Sequence, residues 1–267
     1  MTIYACPVCR RLLDQEPEVF RCSACSREYP IKDNIPDFLG EVLSESKDPE
    51  LRRMRFIDRM ARIYETKLWY PLVLNVYGGF GSATLPGLIS KVSRNIESVQ
   101  GRVIDIACGP GTYGRRVASP SKEVFGIDVS MGMLRQGLAY TASKGNPNMH
   151  FARARVETLP FENGMFDAAL CCGSLHLFTD TVVALSEIAR VMKPGAILSV
   201  FTFTAGRRGI LRFRSMRERF RRIGLHAFEL PELEQFLNAS GFTDFQPEVS
   251  GSILTFRARK RVAGDPV

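Results

Sequence analysis

The sequence has no long apolar run. Although 45% of its 267 residues are hydrophobic, no stretch reaches the roughly 18 residues that a membrane-spanning helix needs. The first residues, Met1 to Ala5, lead directly into cysteines and lack a signal-peptide pattern. Internal repeats and low-complexity tracts are also missing. We therefore expect a cytoplasmic globular protein without a membrane span, long enough for a full core and a small appendage.

Most of the chain also lacks an excess of charge of one sign. The net charge is +8, but eight arginines lie between Arg207 and Arg222. They alternate with apolar residues at a spacing that predicts an amphipathic helix with a basic face. Such a face suits the phosphate or carboxylate of a small acidic substrate, or RNA. The alternative is a solvated face with salt bridges to Glu229, Glu232 and Glu234.

Four of the seven cysteines form two closely spaced pairs, Cys6 with Cys9 and Cys22 with Cys25. Two residues between the thiols let each pair bind one ion, and four thiolates complete a tetrahedral zinc site. Two disulfides are disfavoured in a reducing compartment, and an iron–sulfur centre fits this spacing less well. Four protein ligands leave no open position, so the zinc is expected to be structural.

Residues 103–113 combine a short apolar strand with a glycine turn. The strand contains Asp105, and the turn contains Gly109 and Gly111, which let the backbone approach a ligand closely. With Gly114 the segment also satisfies the dinucleotide-binding pattern. A carboxylate at Asp105 is unfavourable beside a pyrophosphate but favourable beside an ammonium and a sulfonium group. These are the charged groups of S-adenosylmethionine.

A second apolar strand, residues 123–128, ends in Asp128. An acidic residue at this place is positioned to bind both ribose hydroxyls of a nucleoside. Ser130 then reads as the N-cap of a helix. A doubly wound domain without this ligand remains the alternative, because each motif alone is weak.

The ordered set of motifs resembles the class I S-adenosylmethionine-dependent methyltransferases of the ubiquinone/menaquinone type over roughly residues 100–205. Later parts of the resemblance are Leu159–Phe161, Phe166–Leu170 and Glu187–Gly195. It implies an α/β fold with a doubly wound, seven-stranded, mostly parallel sheet. It also implies cofactor contacts from Asp105, Gly109, Gly111, Asp128, Val129, Met133, Val156, Glu157 and Cys172.

One position departs from this family. Arg155 stands where relatives carry an aspartate whose carboxylate accepts from the adenine amino group. Arginine has only donors, so a backbone carbonyl or Glu157 is expected to take that contact.

The N-terminal segment resembles the small zinc-ribbon activator of eukaryotic and archaeal methyltransferases. We expect a zinc-ribbon module over residues 1–44, a helical linker or lid over 45–100, and the methyltransferase domain over 101–267. Within that domain, an arginine-rich insertion is predicted at 206–226.

The linker carries two amphipathic stretches. The first begins at Asp48 and Pro49, and the second runs from Leu88 to Val99. Tyr70–Pro71 and Tyr77–Gly81 are expected to interrupt them. Aromatic residues there either line a lid over the substrate or fix the helices to the core. Tyr70 and Tyr77, with Arg208 and Arg212, are the candidate substrate contacts.

In the core, we predict strands near 102–107, 122–128, 149–153, 167–172, 196–204, 242–249 and 252–260, the last antiparallel. A helix is predicted to begin at Asp180 and end at Pro194 and Gly195. Another is predicted from Glu229 to Ser240, ended by Gly241.

The candidate catalytic base is His176, which follows the fourth strand. Histidine titrates near neutral pH, although His176 can equally serve to pack near the cofactor; His150 and His226 have weaker claims. The sequence Cys171–Ser174 is unlike the Asn/Asp-Pro-Pro-Tyr/Phe motif of enzymes that methylate exocyclic base amines.

Three functions therefore remain, and the sequence leaves the oligomeric state open. The first is C- or O-methylation of a small molecule, possibly acidic or phosphorylated. The second is methylation of a ribosomal-RNA base, with the arginine-rich helix as the RNA contact. The third is a non-catalytic scaffold or activator.

Overall fold

The alternation of strands and helices builds one large sheet preceded by a small one. The computed structural model describes residues 3–39, 69–145, 148–206, 208–222 and 224–265. The helix predicted to begin at Asp48 and Pro49 lies outside the described residues, as does Arg207. Within the described part, no helix is long and apolar enough to cross a bilayer.

The small sheet is N-terminal and antiparallel, with strand order β1-β2-β3-β4. One cysteine pair lies in the turn before β1, and the other lies in the turn between β2 and β3. The bounds are β1 (Asp14–Gln15), β2 (Val19–Arg21), β3 (Glu28–Lys32) and β4 (Ile35–Pro36).

The large sheet has seven strands in the order β10-β11-β9-β8-β5-β6-β7. β5 to β9 are parallel, and β11 inserts antiparallel between β9 and β10. This confirms the predicted doubly wound fold. The bounds are β5 (Gly101–Ile106), β6 (Lys122–Asp128), β7 (Met149–Arg153), β8 (Phe166–Cys172), β9 (Met192–Phe203), β10 (Phe242–Ser250) and β11 (Ile253–Lys260).

Helices connect these strands, and side-chain caps fix several of their starts. The Ser130 hydroxyl accepts from Met133 N at 3.1 Å, as the sequence predicts. The helices are α1 (Trp69–Val73, continued by a π-helical turn Leu74–Gly78), α2 (Leu85–Arg94), α3 (Gly114–Val117), α4 (Met131–Lys144), α5 (Thr181–Val191), α6 (Arg214–Arg222) and α7 (Leu230–Ala239). Short 3-10 turns lie at Val156–Thr158, Leu175–Leu177 and Ile210–Arg212.

Three predicted boundaries are wrong. α5 ends at Val191 rather than at Pro194, because residues from Met192 onward already belong to β9. Pro71 lies inside α1, so Tyr70–Pro71 does not interrupt the helix; the break comes at Gly79, within the predicted interruption Tyr77–Gly81, and its φ of +96° favours glycine. α2 ends at Arg94, although Ile96 beyond it is still buried.

An aromatic cluster joins the two sheets. The ring of Phe161 is fully buried, with its centroid 5.5 Å from Tyr4 of the N-terminal module and 4.8 Å from Phe166 of β8. Tyr4 also packs on Phe38 at 5.0 Å. Both modules therefore share one hydrophobic core.

Backbone bonds and charges reinforce this junction. Phe38 N donates to Arg153 O at 2.8 Å, so the N-terminal module extends the sheet beyond its edge strand β7. Ala5 N donates to Pro160 O at 2.9 Å. Arg153 also pairs at 3.2 Å with Asp37, whose side chain is fully buried. The module thus holds both ends of residues 153–160.

We expect Phe161→Ala to lower the free energy of unfolding by about 3–5 kcal/mol, since it leaves a cavity where the two modules meet. Denaturation in urea followed by circular dichroism measures the loss. The matched control is Phe80→Ala, because that ring is 89% exposed. Equal losses for both variants would contradict the shared core.

Candidate active site

The glycine turn after β5 forms the floor of the candidate site. Gly109 and Gly111 have φ values of +55° and +75°, which glycine adopts at little cost. A Cβ on Gly111 would lie 3.0 Å from the Phe151 ring, so the turn is also closely packed beneath. Ala107 has a φ of +49°, and no sequence pattern singled out this residue. The turn therefore holds a left-handed backbone at a non-glycine residue just before the glycines.

Asp105 lies buried below this turn. Its Oδ2 accepts from Gly114 N at 2.9 Å, which ties the strand to the start of α3. The pKa of the Asp105 carboxyl is raised to about 7, chiefly by burial and to a smaller extent by the nearby Asp128, although the bond from Gly114 N opposes the shift. A cationic group placed beside Asp105 would restore its ionised form.

Asp128, at the end of β6, fixes the turn from the other side. Its Oδ2 accepts from Gly109 N at 2.8 Å, and its Oδ1 accepts from Ser130 N at 2.8 Å. A carboxylate offers about four acceptor sites, so one such group can bind several donors at once. Both oxygens lie where the turn after β5 meets the start of α4.

The other predicted cofactor residues lie around the same ends of the strands. Met133 is buried on α4, Val156 is buried in the turn after β7, and Cys172 is buried at the end of β8. Val129 O accepts from Arg153 Nε at 2.9 Å. Because β8, β5, β6 and β7 are adjacent, their carboxyl ends bring this set together.

The unusual Arg155 faces Glu157. Arg155 Nε lies 3.7 Å from Glu157 Oε2, and both side chains are about 28% exposed. The carboxylate keeps unused acceptor sites at this distance. In the turn after β7, Glu157 therefore supplies a hydrogen-bond acceptor and Arg155 supplies donors beside it.

His176 lies in the 3-10 turn after β8. Its Nδ1 is 3.3 Å from Thr202 Oγ1, and its ring packs edge-on against Phe203 with centroids 4.9 Å apart. Burial lowers the pKa of His176 to about 4. The imidazole is therefore neutral at physiological pH, which leaves one ring nitrogen able to accept a proton.

The two candidate tyrosines differ in their surroundings. Tyr70 is buried on α1, which favours the role of fixing the helix to the core. The Tyr77 ring lies 5.6 Å from Phe203 and 5.4 Å from Phe220 of α6. Tyr77 and His176 thus contact the same phenylalanine, Phe203.

The two candidate arginines are exposed and belong to the outer segment. Arg208 O accepts from Ser252 Oγ, and the Arg212 guanidinium lies 4.3 Å from the centre of the Phe213 ring. The predicted bridges to the acidic helix are few. Among the described residues of α6, Arg217 reaches Glu229 at 3.6 Å, and Arg214 pairs with Glu218 within α6.

The remaining histidines pair with carboxylates elsewhere. His150 Nε2 lies 3.1 Å from Glu123 Oε1 between β7 and β6. His226 Nε2 lies 3.0 Å from Glu232 Oε2, and its backbone N donates to His176 O. Neither ring contacts the glycine turn.

Four cysteine thiols converge in the N-terminal module. Their Sγ atoms all lie within 4.8 Å of one another, with Cys9–Cys22 at 3.3 Å and Cys6–Cys25 at 3.6 Å. Zinc–sulfur bonds of about 2.3 Å place tetrahedral sulfurs about 3.8 Å apart. All four are free cysteines, so the donor set and spacing fit one metal ion.

The other three thiols, Cys108, Cys171 and Cys172, are buried around the large sheet. Burial raises the pKa of Cys171 to about 12 and the pKa values of Cys108 and Cys172 well above the ordinary range. Buried thiols of this kind behave as small apolar packing residues.

Residues 103–195 match the protein family described as methyltransferase domain. The chain carries an S-adenosylmethionine-dependent methyltransferase domain. The matched residues begin in β5 and end in β9, so they include the glycine turn, Asp105, Asp128 and His176.

Relatives agree with this assignment. An uncharacterised chloroplastic methyltransferase of Arabidopsis thaliana is 25% identical over 97% of this chain and 78% of its own length. The demethylmenaquinone methyltransferase of Corynebacterium kroppenstedtii is 36% identical, but over only 39% of this chain and 42% of that enzyme. The fold is similar to phosphoethanolamine N-methyltransferase 2 of Haemonchus contortus, solved with phosphomonomethylethanolamine and S-adenosylhomocysteine (TM-score 0.63, 18% identity, 79% of this chain and 59% of that one).

The raised pKa of the Asp105 carboxyl predicts that the stability of the fold depends on pH. Its pKa in the folded protein lies above the ordinary value of 3.8. Its contribution to stability is therefore complete below about pH 4 and is lost as the pH rises through 7. We expect Asp105→Asn to remove this pH-dependent loss in the free energy of unfolding. The size of the pKa shift sets an upper limit of about 4 kcal/mol on the loss.

Urea unfolding of the cofactor-free protein at pH 5 and pH 8 measures this difference. Asp14→Asn is the control, because Asp14 is exposed on β1. If the free energies of unfolding of Asp105→Asn and wild type differ by the same amount at both pH values, the Asp105 carboxyl does not have a raised pKa.

Proposed function

We propose that this chain transfers the methyl group of S-adenosylmethionine to a carbon or oxygen atom of a small-molecule acceptor. The observation that carries the proposal is the placement of the Asp105 and Asp128 carboxylates at either side of the Gly109–Gly111 turn. The similarity to a demethylmenaquinone methyltransferase supports a small acceptor.

In this proposal the cofactor spans the carboxyl ends of the strands. The Asp105 carboxylate stabilises the cofactor's ammonium group, and the backbone of Gly109 and Gly111 packs against the cofactor. The Asp128 carboxylate accepts from the ribose hydroxyls. Adenine lies against apolar or small side chains, with the contacts supplied by Val129, Met133, Val156 and Cys172.

The adenine amino group requires an acceptor that Arg155 does not offer. Glu157 is the proposed acceptor, because its carboxylate lies in the turn after β7 and Arg155 holds it from one side. Glu157 would then take the role of the aspartate that relatives carry at the position of Arg155.

Methyl transfer is an in-line displacement. The acceptor atom attacks the methyl carbon, the carbon–sulfur bond breaks, and its electron pair neutralises the sulfonium. The chain must align the acceptor and remove its proton. Neutral His176 is the proposed base, with Thr202 holding its Nδ1. Tyr77 is a proposed wall of the acceptor site, since it shares Phe203 with His176.

The domain boundaries follow the same proposal. A zinc-ribbon module occupies residues 1–44, a helical linker or lid 45–100, and the methyltransferase domain 101–267 with the insertion 206–226. The Cys6, Cys9, Cys22 and Cys25 thiolates fill all four positions of a zinc ion, which makes it structural.

The exposed arginines of residues 208–222 support a second candidate, an RNA acceptor. They are equally suited to an acidic or phosphorylated small molecule, whose anionic group Arg208 or Arg212 would bind. Methylation assays with structured RNA and with small acidic acceptors distinguish the two. The third sequence hypothesis, a non-catalytic scaffold, requires that the folded chain fails to bind the cofactor.

Titration calorimetry with S-adenosylmethionine tests the cofactor site. We expect micromolar binding by wild type and about a hundredfold weaker binding by Asp128→Ala, because the ribose contacts and the anchor of the turn are both removed. Asp14→Ala is the matched control and is expected to bind like wild type. Absence of binding to the folded, metal-loaded wild type would refute the proposal.

Elemental analysis of the purified protein tests the metal site. We expect one zinc per chain, lost in Cys22→Ser together with a lower melting temperature, since metal binding is coupled to folding. Ser23→Ala is the control, because Ser23 is exposed between two ligand cysteines. A folded protein without bound metal would show that the four thiols serve another purpose.

A further inference from the structure

Four large apolar side chains are exposed on the segments that flank Tyr77. Leu72 is 59% exposed, Val76 38%, Phe80 89% and Phe213 48%. Leu72 and Val76 are four residues apart in the helical segment 69–78, and Phe80 lies two residues beyond its end. Single exposed apolar residues are common, but several on adjoining segments mark an interaction surface. We call these four residues, with the exposed arginines of 208–222, the lid patch.

Direct packing makes these segments one unit. The Tyr77 ring lies 5.4 Å from the Phe220 ring of α6. Gly79 approaches Arg208 so closely that a Cβ on Gly79 would lie 2.5 Å from the Arg208 Cβ. Residues 72–80 therefore border the arginine-rich segment, so the segments that carry the exposed apolar and basic side chains are adjacent.

The charge of this segment is largely unneutralised. Residues 207–222 contain eight arginines and one glutamate, which accounts for most of the net charge of +8. Within the described part of the chain, Arg214 and Arg217 are the arginines of this segment with a carboxylate partner. The exposed arginines without one are Arg208, Arg212, Arg219, Arg221 and Arg222.

We propose that the lid patch docks this protein on an anionic lipid bilayer. Binding at a membrane interface combines two features. Apolar side chains enter the boundary between headgroups and acyl chains, and basic residues beside them attract the anionic headgroups. Leu72 and Val76 are aliphatic and have no ring on which a nucleotide base could stack. Arg212 already covers one face of Phe213. Phe80 is the one member of the four with a largely exposed ring. One free ring beside two aliphatic side chains favours lipid over single-stranded RNA, whose readers stack successive bases on several aromatic faces.

Docking of this kind would place the bilayer beside the proposed acceptor site. Tyr77 lies between the lid patch and Phe203, and Phe203 contacts His176. An acceptor with an apolar tail in the bilayer would then have a short path to the site. The docking itself does not depend on which acceptor the enzyme uses.

Cosedimentation of the full, metal-loaded chain with phosphatidylcholine vesicles, with and without phosphatidylglycerol, tests the proposal. We expect binding to the anionic vesicles alone, weakened by salt. The triple variant Arg219→Gln, Arg221→Gln, Arg222→Gln is expected to bind about tenfold or more weakly. Phe80→Ser is expected to weaken binding without changing the salt dependence, because it removes apolar contact and no charge.

The matched control removes three positive charges elsewhere, from exposed residues of the N-terminal module and of α3 and α4. It combines Arg11→Gln, Arg116→Gln and Lys144→Gln and is expected to bind like wild type. Equal loss in both triple variants, or binding to RNA but not to anionic vesicles, would overturn the proposal. Calorimetry with S-adenosylmethionine on the same proteins separates this failure from failure of the proposed function, since none of these substitutions touches the cofactor site.

Discussion

The cofactor side of this protein depends on the Asp128 carboxylate. One oxygen holds the turn after β5 through Gly109 N, and the other holds the start of α4 through Ser130 N. Two backbone segments that are distant in the sequence thus receive a common anchor at the edge where the parallel strands end. The glycine turn keeps its left-handed shape above a second buried carboxylate, Asp105. A site built this way has its backbone and carboxyl groups held in place before any ligand arrives.

The N-terminal module connects to the same edge through Arg153. Its guanidinium pairs with the fully buried Asp37 of the module, and its Nε donates to Val129 O, the residue after Asp128. A further contact joins Arg10 to Leu159 O at 3.0 Å and to Glu187 at 2.9 Å. The turn at Val156–Thr158 therefore lies between two attachment points of the cysteine-rich module. This explains physically why a small module without a large core of its own belongs to this fold: it closes an open sheet edge and shares the aromatic cluster around Phe161.

The acceptor side is organised by aromatic contacts instead of charge. Phe203 at the end of β9 contacts both His176 and Tyr77, and Tyr77 contacts Phe220 of α6. The same low polarity that packs these rings depresses the pKa of His176. The neutral imidazole is free to accept a proton, but its low pKa makes it a weak base, so the proposed acceptor must itself lose its proton readily. The arginine-rich segment lies outside this wall, so its charge acts at the surface.

Local sequence determined the elements and the chemistry of each motif. The patterns that sequence analysis recognised are short-range, and each indicates the local backbone geometry around it. They are the cysteine spacing, the glycine turn, the acidic residue near the end of each of two strands, and the serine cap. Predicted boundaries were wrong where pairing between strands competed with local preference. Met192 to Gly195 look like a helix end but belong to β9, which begins where Met192 pairs with Phe166 of β8. Only the tertiary structure decided that Arg153 pairs with Asp37, that Arg155 faces Glu157, and that His176 is too desolvated to be charged at neutral pH. These facts depend on which groups meet across the fold and on how much water remains between them, and neither quantity is encoded in the spacing of residues along the chain.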